Sequence, residues 1–271
     1  MTSSPGIVLD ACEQTQAPLF SGAEREAFAR NGFIIVRALA DQALCQEMRA
    51  VASEHLARRI EPLELETDVH YPGAPASAKS EGGETIRRLL QAQGRHPVFT
   101  RWLTCASLTR RLHQLLGAKV VMPLAHHNCV MTKQPRYSSQ TDWHQDIRYW
   151  SFERPELITV WLALGDETPE NGGLKVIPGT HRQYFDASRL DEASFLRDEL
   201  AENQALIDSH IDVVLHAGDV LFFHCRTLHA AGRNRTEETK LSVVFTFRPA
   251  DNLPVPGTRS SRLPELLLTA Y

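Results

Sequence analysis

The sequence predicts a mainly β protein with flanking helices, a barrel or sandwich of short strands preceded by a helical half. Three observations predict it. Apolar residues recur at helical spacing through most of the first half. After Val120 at least six short apolar segments follow one another. Between those segments lie turn signals: PENGG, PGTH, HAGD and GRNRT. Nothing resembles a linker, so the 271 residues read as one domain, 1–271, with the helical half packed on a β core from about 120–248.

Taken in order, Ser21 can cap a helix over GAEREAFARNG, with Glu24 at its third position completing a capping box. GFIIVRAL reads as a short strand and 41–59 as a second helix. Residues 61–83, rich in Pro, Gly, Ala and Ser, read as a long loop, and loops of that length are lids or linkers. Helical patterning returns in ETIRRLLQAQ and in SLTRRLHQLLG, where Gly117 is a natural stop. The strands are expected in AKVVMPLAHHNCVMTK, QTDWHQDIRYW, LITVWLALGD, LKVIPG, IDVVLHAGDVLFFH and KLSVVFTFRP. The insertion 188–207 is charged and helical in pattern, and the tail from Pro249 is irregular.

Composition narrows the function. A net charge of −4 speaks against a nucleic-acid partner, since phosphate binding favours a basic surface. Five cysteines, odd in number and without C-x-x-C, speak against a disulfide scaffold or a thiolate zinc site. The opening MTSSPGIVLDACEQTQ lacks the basic-then-apolar order of a secretory signal. No apolar run approaches the roughly 18 residues that span a bilayer. The expectation is a cytoplasmic protein with a small-molecule substrate, no membrane partner, and a monomeric or weakly homo-oligomeric state.

The chemistry begins at Trp143-His144-Gln145-Asp146. In a strand, residues i and i+2 share a face, so His144 and Asp146 project together. An imidazole and a carboxylate on one face are two of the three ligands of a 2-His-1-carboxylate triad, which leaves three coordination positions open. The third ligand must come from a distant strand. His229 follows an apolar strand in LFFHCRTLHAAGRN and is flanked by small residues, while His224 lies within the strand; periodicity does not choose between them. His126, His127, His181 and His216 read as structural.

Four blocks carry a resemblance to a known family: FSGAEREAFARNGFIIVRAL, WHQD, NGGLKVIPGTHR and AGDVLFFHCRTLHAAGRN. In order and spacing, over 19–248, they resemble the phytanoyl-CoA dioxygenase family of Fe(II)- and 2-oxoglutarate-dependent oxygenases. The resemblance implies a double-stranded β-helix, with His144, Asp146 and His229 binding Fe(II). It also implies 2-oxoglutarate and O₂ as cosubstrates, and hydroxylation of a C–H bond with release of succinate and CO₂. The carboxylate at Asp146 favours hydroxylation, because related halogenases carry a small residue there. The family's cation for the far carboxylate of 2-oxoglutarate is an Arg about eleven residues after the distal His; that position is Lys240, a point charge without the bidentate fork. On period two, Lys240, Ser242, Val244, Thr246 and Arg248 share a face suited to a cavity, and Arg248 is the fallback anchor. Trp161 and Asn128 match positions that line the cosubstrate. The family's Ser two residues after the distal His is Ala231 here.

An alternative is a cupin-like metal-dependent isomerase or lyase that uses no 2-oxoglutarate; another is a non-catalytic binding protein on the same fold. Arg148, Tyr149, Arg87 and Arg88 are candidate substrate contacts, and 61–83 and 188–207 are candidate lids. The substrate itself is not legible.

Overall fold

In the computed structural model the described residues are 7–9 and 19–268; Cys12 and most of the segment screened for a secretory signal lie outside them. The chain runs β1 (Ile7–Leu9), α1 (Gly22–Asn31), β2 (Phe33–Val36), α2 (Gln42–Ala57), β3 (Leu63–Leu65) and β4 (Ile86–Leu90). Three helices follow: α3 (Ala92–Arg95), α4 (Pro97–Leu103) and α5 (Ala106–Leu116). Then come β5 (Val120–Pro123), β6 (Asn128–Lys133), β7 (Thr141–His144), β8 (Ile158–Ala163) and β9 (Leu174–Val176). The chain ends with α6 (Ala201–Ile207), β10 (Ile211–Asp212), β11 (Val220–His224), β12 (His229–Ala231), β13 (Lys240–Pro249) and β14 (Glu265–Leu268).

Local sequence explains the helix boundaries. Ser21 caps α1 in the expected box with Glu24, and Gly32 ends it at φ 83°, where any Cβ would crowd His181. Asp41 caps α2 through the Leu44 amide at 2.7 Å, and Gly117 closes α5.

Two sheets form the body. Ten of the described strands build a major sheet, with β13 at its centre between β6 and β8, and β11 beyond β8. The minor sheet has the order β10-β9-β12-β7. Apart from β1 on β14, the pairings are antiparallel. The alternation along β13 sorts its side chains. Leu241, Val243, Phe245 and Phe247 enter a core shared with α2, α4 and α5, while Val244 faces a second core between the sheets. Strand β8 divides the same way, with Ile158, Val160 and Leu162 toward the helices and Trp161 and Ala163 toward the minor sheet. Burying each such side chain stabilises the fold by roughly 1.5–3 kcal/mol.

Four expectations need correction. ETIRRLLQAQ is the strand β4, not a helix. Leu63 pairs with Leu89 and Glu64 with Arg88, but Leu65 pairs with Ile86, so Arg87 is the extra residue of a β-bulge. The bulge lets Ile86 and Leu89 both reach the core at a spacing that mimics a helix. The loop 61–83 contributes β3, and in the insertion 188–207 only Ala201–Ile207 is an α-helix. The tail is not wholly irregular, since β14 pairs with β5 through residues that bury Leu266 and Leu268.

Candidate active site

Strand pairing brings the two metal-type histidines together. His144 ends β7, His229 begins β12, and the two are register partners in the minor sheet. Ladder pairing stops at His144, but Gln145 stays extended (φ −107°, ψ 134°) before a 3-10 turn at Asp146–Tyr149. The same-face argument for His144 and Asp146 therefore holds across the end of the strand. Trp143 packs on the opposite side against Ile177 and Leu228.

The triad atoms converge. His144, Asp146 and His229 are buried, with one ligand atom from each inside a 4.8 Å span. Asp146 Oδ1 lies 3.9 Å from His144 Nε2 and 3.6 Å from His229 Nε2. Each histidine is oriented from behind by the carbonyl two residues earlier. His144 Nδ1 donates to Asp142 O at 2.8 Å, and His229 Nδ1 donates to Thr227 O at 3.0 Å. A carbonyl can only accept, so each Nε2 carries its lone pair toward the third ligand. Thr159 of β8 donates to Asp146 Oδ2 at 2.9 Å, and Oδ1 is the oxygen nearer the two imidazoles.

Electrostatics favour metal-ready protonation states. Burial, then the mutual proximity of the rings, pushes His144 well below the ordinary imidazole range, and burial lowers His229. Burial alone would protonate Asp146, but the imidazoles of His127, His229 and His144 reverse this and hold it well below the carboxylate range. Two neutral imidazoles and one carboxylate are a donor set that fits a divalent transition metal with open positions.

A cavity of about 420 Å³ opens on the triad; Trp161, Ala231 and Lys240 also line it. Lys240 is buried 5.0 Å from the Trp161 ring and donates to Glu167 Oε2 at 3.0 Å and to Ser242 Oγ at 3.2 Å. Trp161 Nε1 donates to the same carboxylate at 3.0 Å. Asn128 is not among the lining residues. On β6 the lining residues are Cys129, Met131, Thr132 and Lys133, and the Asn128 amide is bonded to Gln93. Arg248, the fallback anchor, lies outside the cavity and is paired with Glu265. His224 is also outside, stacked near His181 and accepting the Arg226 amide at 3.1 Å.

The mouth joins the two candidate lids. The Arg148 guanidinium lies 3.7 Å from the Phe195 ring centre and donates at 3.1 Å to both Tyr71 Oη and Ala193 O. Arg87 lines the cavity, but its guanidinium is committed to Glu66, Ser139 and Thr141.

Four site residues escaped the sequence reading: His127, Thr159, Glu167 and Lys133. His127 Nε2 lies 3.1 Å from Asp146 Oδ1; burial opposes its charge, but Asp146 raises it to about 9. Thr159 carried a signal, being the polar residue that shares the Trp161 face of an apolar strand. Glu167 sits in a segment that reads only as a turn. In that turn Gly172, at φ 80°, lies so near the backbone that a Cβ would stand 2.8 Å from Gly232 O.

The comparisons agree with this geometry. The family model "Phytanoyl-CoA dioxygenase (PhyH)" matches residues 28–242. The human peroxisomal phytanoyl-CoA dioxygenase is 24% identical over 253 residues, covering 89% of this chain and 72% of that protein. The ectoine dioxygenase of Halomonas elongata is 26% identical over 272 residues, covering 94% and 78%. Among solved structures, EctD from S. alaskensis with 2-oxoglutarate and 5-hydroxyectoine has a TM-score of 0.74 at 20% identity, covering 94% of this chain and 88% of its own. The epimerase SnoN with Fe3+, alpha ketoglutarate and nogalamycin RO has a TM-score of 0.69 at 22% identity, covering 89% of each. The fold is thus the double-stranded β-helix of these oxygenases, and the chain belongs to the phytanoyl-CoA dioxygenase family.

Proposed function

We propose that this chain is an Fe(II)- and 2-oxoglutarate-dependent dioxygenase that hydroxylates a C–H bond of a small molecule. The observation that carries the reading is the buried triad of His144, Asp146 and His229, with both imidazoles held neutral and open on one cavity with a buried lysine. The three side chains would hold Fe(II). Iron bound there would supply O₂ activation coupled to oxidative decarboxylation of 2-oxoglutarate to succinate and CO₂.

The chain's own residues do the rest. The Asp142 and Thr227 carbonyls fix the imidazole tautomers, and Thr159 orients the carboxylate. Lys240 provides a cation at the cosubstrate end, and Trp161 walls the space beside it. Ala231 lines the cavity without a hydroxyl, so it offers the cosubstrate no side-chain hydrogen bond. Arg148, bridging Tyr71 and Ala193, ties the two lids together over the entrance and would exclude water once substrate is bound.

Several coarser features belong to the same proposal. The chain works as one domain, supported by a core that runs from Phe20 to Leu268 through helices and sheet. No described helix is long and apolar enough to cross a membrane. A cytoplasmic setting is supported by the free cysteines among the described residues, Cys45, Cys105, Cys129 and Cys225. A monomer or weak homo-oligomer is the expected state, which sedimentation checks.

Anaerobic addition of 2-oxoglutarate to the Fe(II)-loaded protein is expected to produce a visible charge-transfer band. If no band appears although iron is bound, the isomerase or lyase alternative replaces this reading. Succinate release across a metabolite library then identifies the substrate.

A further inference from the structure

The end of the cavity away from the triad contains a charge that the fold leaves uncompensated. Strands β6 and β13 are adjacent and antiparallel, and Lys133 and Lys240 are direct register partners across them. Both side chains line the cavity, and both residues are more than nine-tenths buried. Like charges directly opposite each other destabilise a sheet, and burial adds to the cost.

The counter-ions are unevenly shared. Glu167 neutralises Lys240 from behind and does not line the cavity; its carboxylate also accepts from Ser242 Oγ at 2.6 Å and from Trp161. Two of the three Lys240 ammonium protons are thereby used, on Glu167 and Ser242. Glu66 is bound by Arg87 at 3.1 Å, and Glu64 is bound by Arg88 at 3.3 Å and lies 3.6 Å from Arg87. Asp68, the remaining lining carboxylate apart from the triad's, is exposed and bonded to the Leu65 amide. Lys133 has no carboxylate within 4.0 Å among the described residues; its ammonium donates to the Ser139 carbonyl and keeps two protons free. Four cations (Lys133, Lys240, Arg87, Arg88) thus stand against three carboxylates (Glu64, Glu66, Glu167).

We propose that Lys133 is the specificity-determining residue that reads the second carboxylate of a dicarboxylic 2-oxo acid, with Lys240 as its charge-neutralised partner. The inference rests on the cosubstrate reading above and departs from it in one respect: the Lys240 position supplies geometry, and Lys133 supplies the net charge. An incoming carboxylate between the two ammonium groups removes their repulsion and gives Lys133 its missing counter-ion. Burial, with Arg87 and Lys240 nearby, pushes the free Lys133 well below the ordinary lysine range, so a bound anion also relieves a strained ionisation.

The test compares 2-oxoglutarate with 2-oxopentanoate, which has the same chain length but no second carboxylate. Dissociation constants are measured by anaerobic calorimetry on the full, Fe(II)-loaded chain. Lys133→Met is expected to weaken 2-oxoglutarate binding by about 10–100-fold, the size of a lost charge-assisted hydrogen bond, and to leave 2-oxopentanoate within about threefold. Glu167→Gln, which keeps the side-chain size, gives up one acceptor oxygen and frees the Lys240 charge, is expected to tighten 2-oxoglutarate selectively. Equal losses for both acids in Lys133→Met, or unchanged 2-oxoglutarate affinity, overturn the proposal. Should Lys133→Met fail to fold, Lys133→Arg and Glu167→Gln carry the test: unchanged selectivity between the two acids in Glu167→Gln overturns it. Wild-type protein that binds iron but not 2-oxoglutarate overturns the cosubstrate reading itself, a result separate from either variant outcome.

Discussion

The two ends of the cavity are built by opposite strategies. At the metal end, His144 and His229 are cross-strand partners, and each is oriented by the carbonyl two residues before it in the chain. At the far end, Lys133 and Lys240 are also cross-strand partners, but only Lys240 is balanced, by Glu167 from elsewhere in the chain. The first pair is kept neutral by burial and held in one tautomer by nearby carbonyls, while in the second Lys240 alone is made tolerable by a distant carboxylate. The metal end should therefore fail chemically when its side chains are cut, and the Lys240–Glu167 pair at the far end should fail structurally.

The largest expected effect is at the metal end. His229→Ala removes one of three ligands without exposing a buried charge, so the protein should fold and lose Fe(II) binding and succinate production entirely. Iron content after anaerobic loading and the thermal midpoint check both halves. A variant that kept stoichiometric iron would remove His229 from the triad.

Lys240→Met should show the opposite pattern. It leaves Glu167 ionised and 1% exposed without its cation, a change of about 3–5 kcal/mol when a buried pair loses one partner. The double change Lys240→Met with Glu167→Gln should recover much of that loss. Urea unfolding of the metal-free forms measures it, and a stable single variant would mean that the pair contributes little.

Thr159→Val tests the support behind the ligands. Its hydroxyl holds Asp146 Oδ2, and loss of such an outer contact costs about 10–100-fold in metal affinity or activity. Competition with a chelator reads the change. An unaffected affinity would show that His127 alone suffices to orient the carboxylate.

This contrast also explains what could be read from the sequence. The capping box at Ser21 and Glu24, the two faces of β13 and the His144–Asp146 spacing are local, so periodicity and short-range chemistry reveal them. Strand β4 was obscured because a bulge at Arg87 gave Ile86 and Leu89 a helical spacing. Asn128 was misplaced relative to the cavity by one residue of strand parity, since Cys129, Met131 and Lys133 take the inward face. Glu167 and Lys133 were invisible for a different reason. A turn glutamate and a strand-end lysine become a site only when β13 lies between β6 and β8, and that pairing is long-range.

The smallest effect concerns the two histidines that the sequence left in competition. His224 sits five residues before His229, outside the cavity, and burial with His181 and Arg226 nearby lowers it to about 4. The ordinary value is about 6.5, so below that pH the unfolded chain takes up a proton that the folded protein refuses. The contribution of His224 to stability is full above pH 6.5 and is lost progressively as the pH falls toward 4. His224→Gln removes this titration, so the variant's stability should fall less steeply over that window, by about 1 kcal/mol at pH 5.5 relative to its own value at pH 7.5. Because His144 and His229 titrate alike in both proteins, the difference between variant and wild type isolates His224. Parallel stability curves from pH 7.5 to 5 would show that His224 titrates normally, and loss of Fe(II) binding in His224→Gln would reopen its place as a ligand.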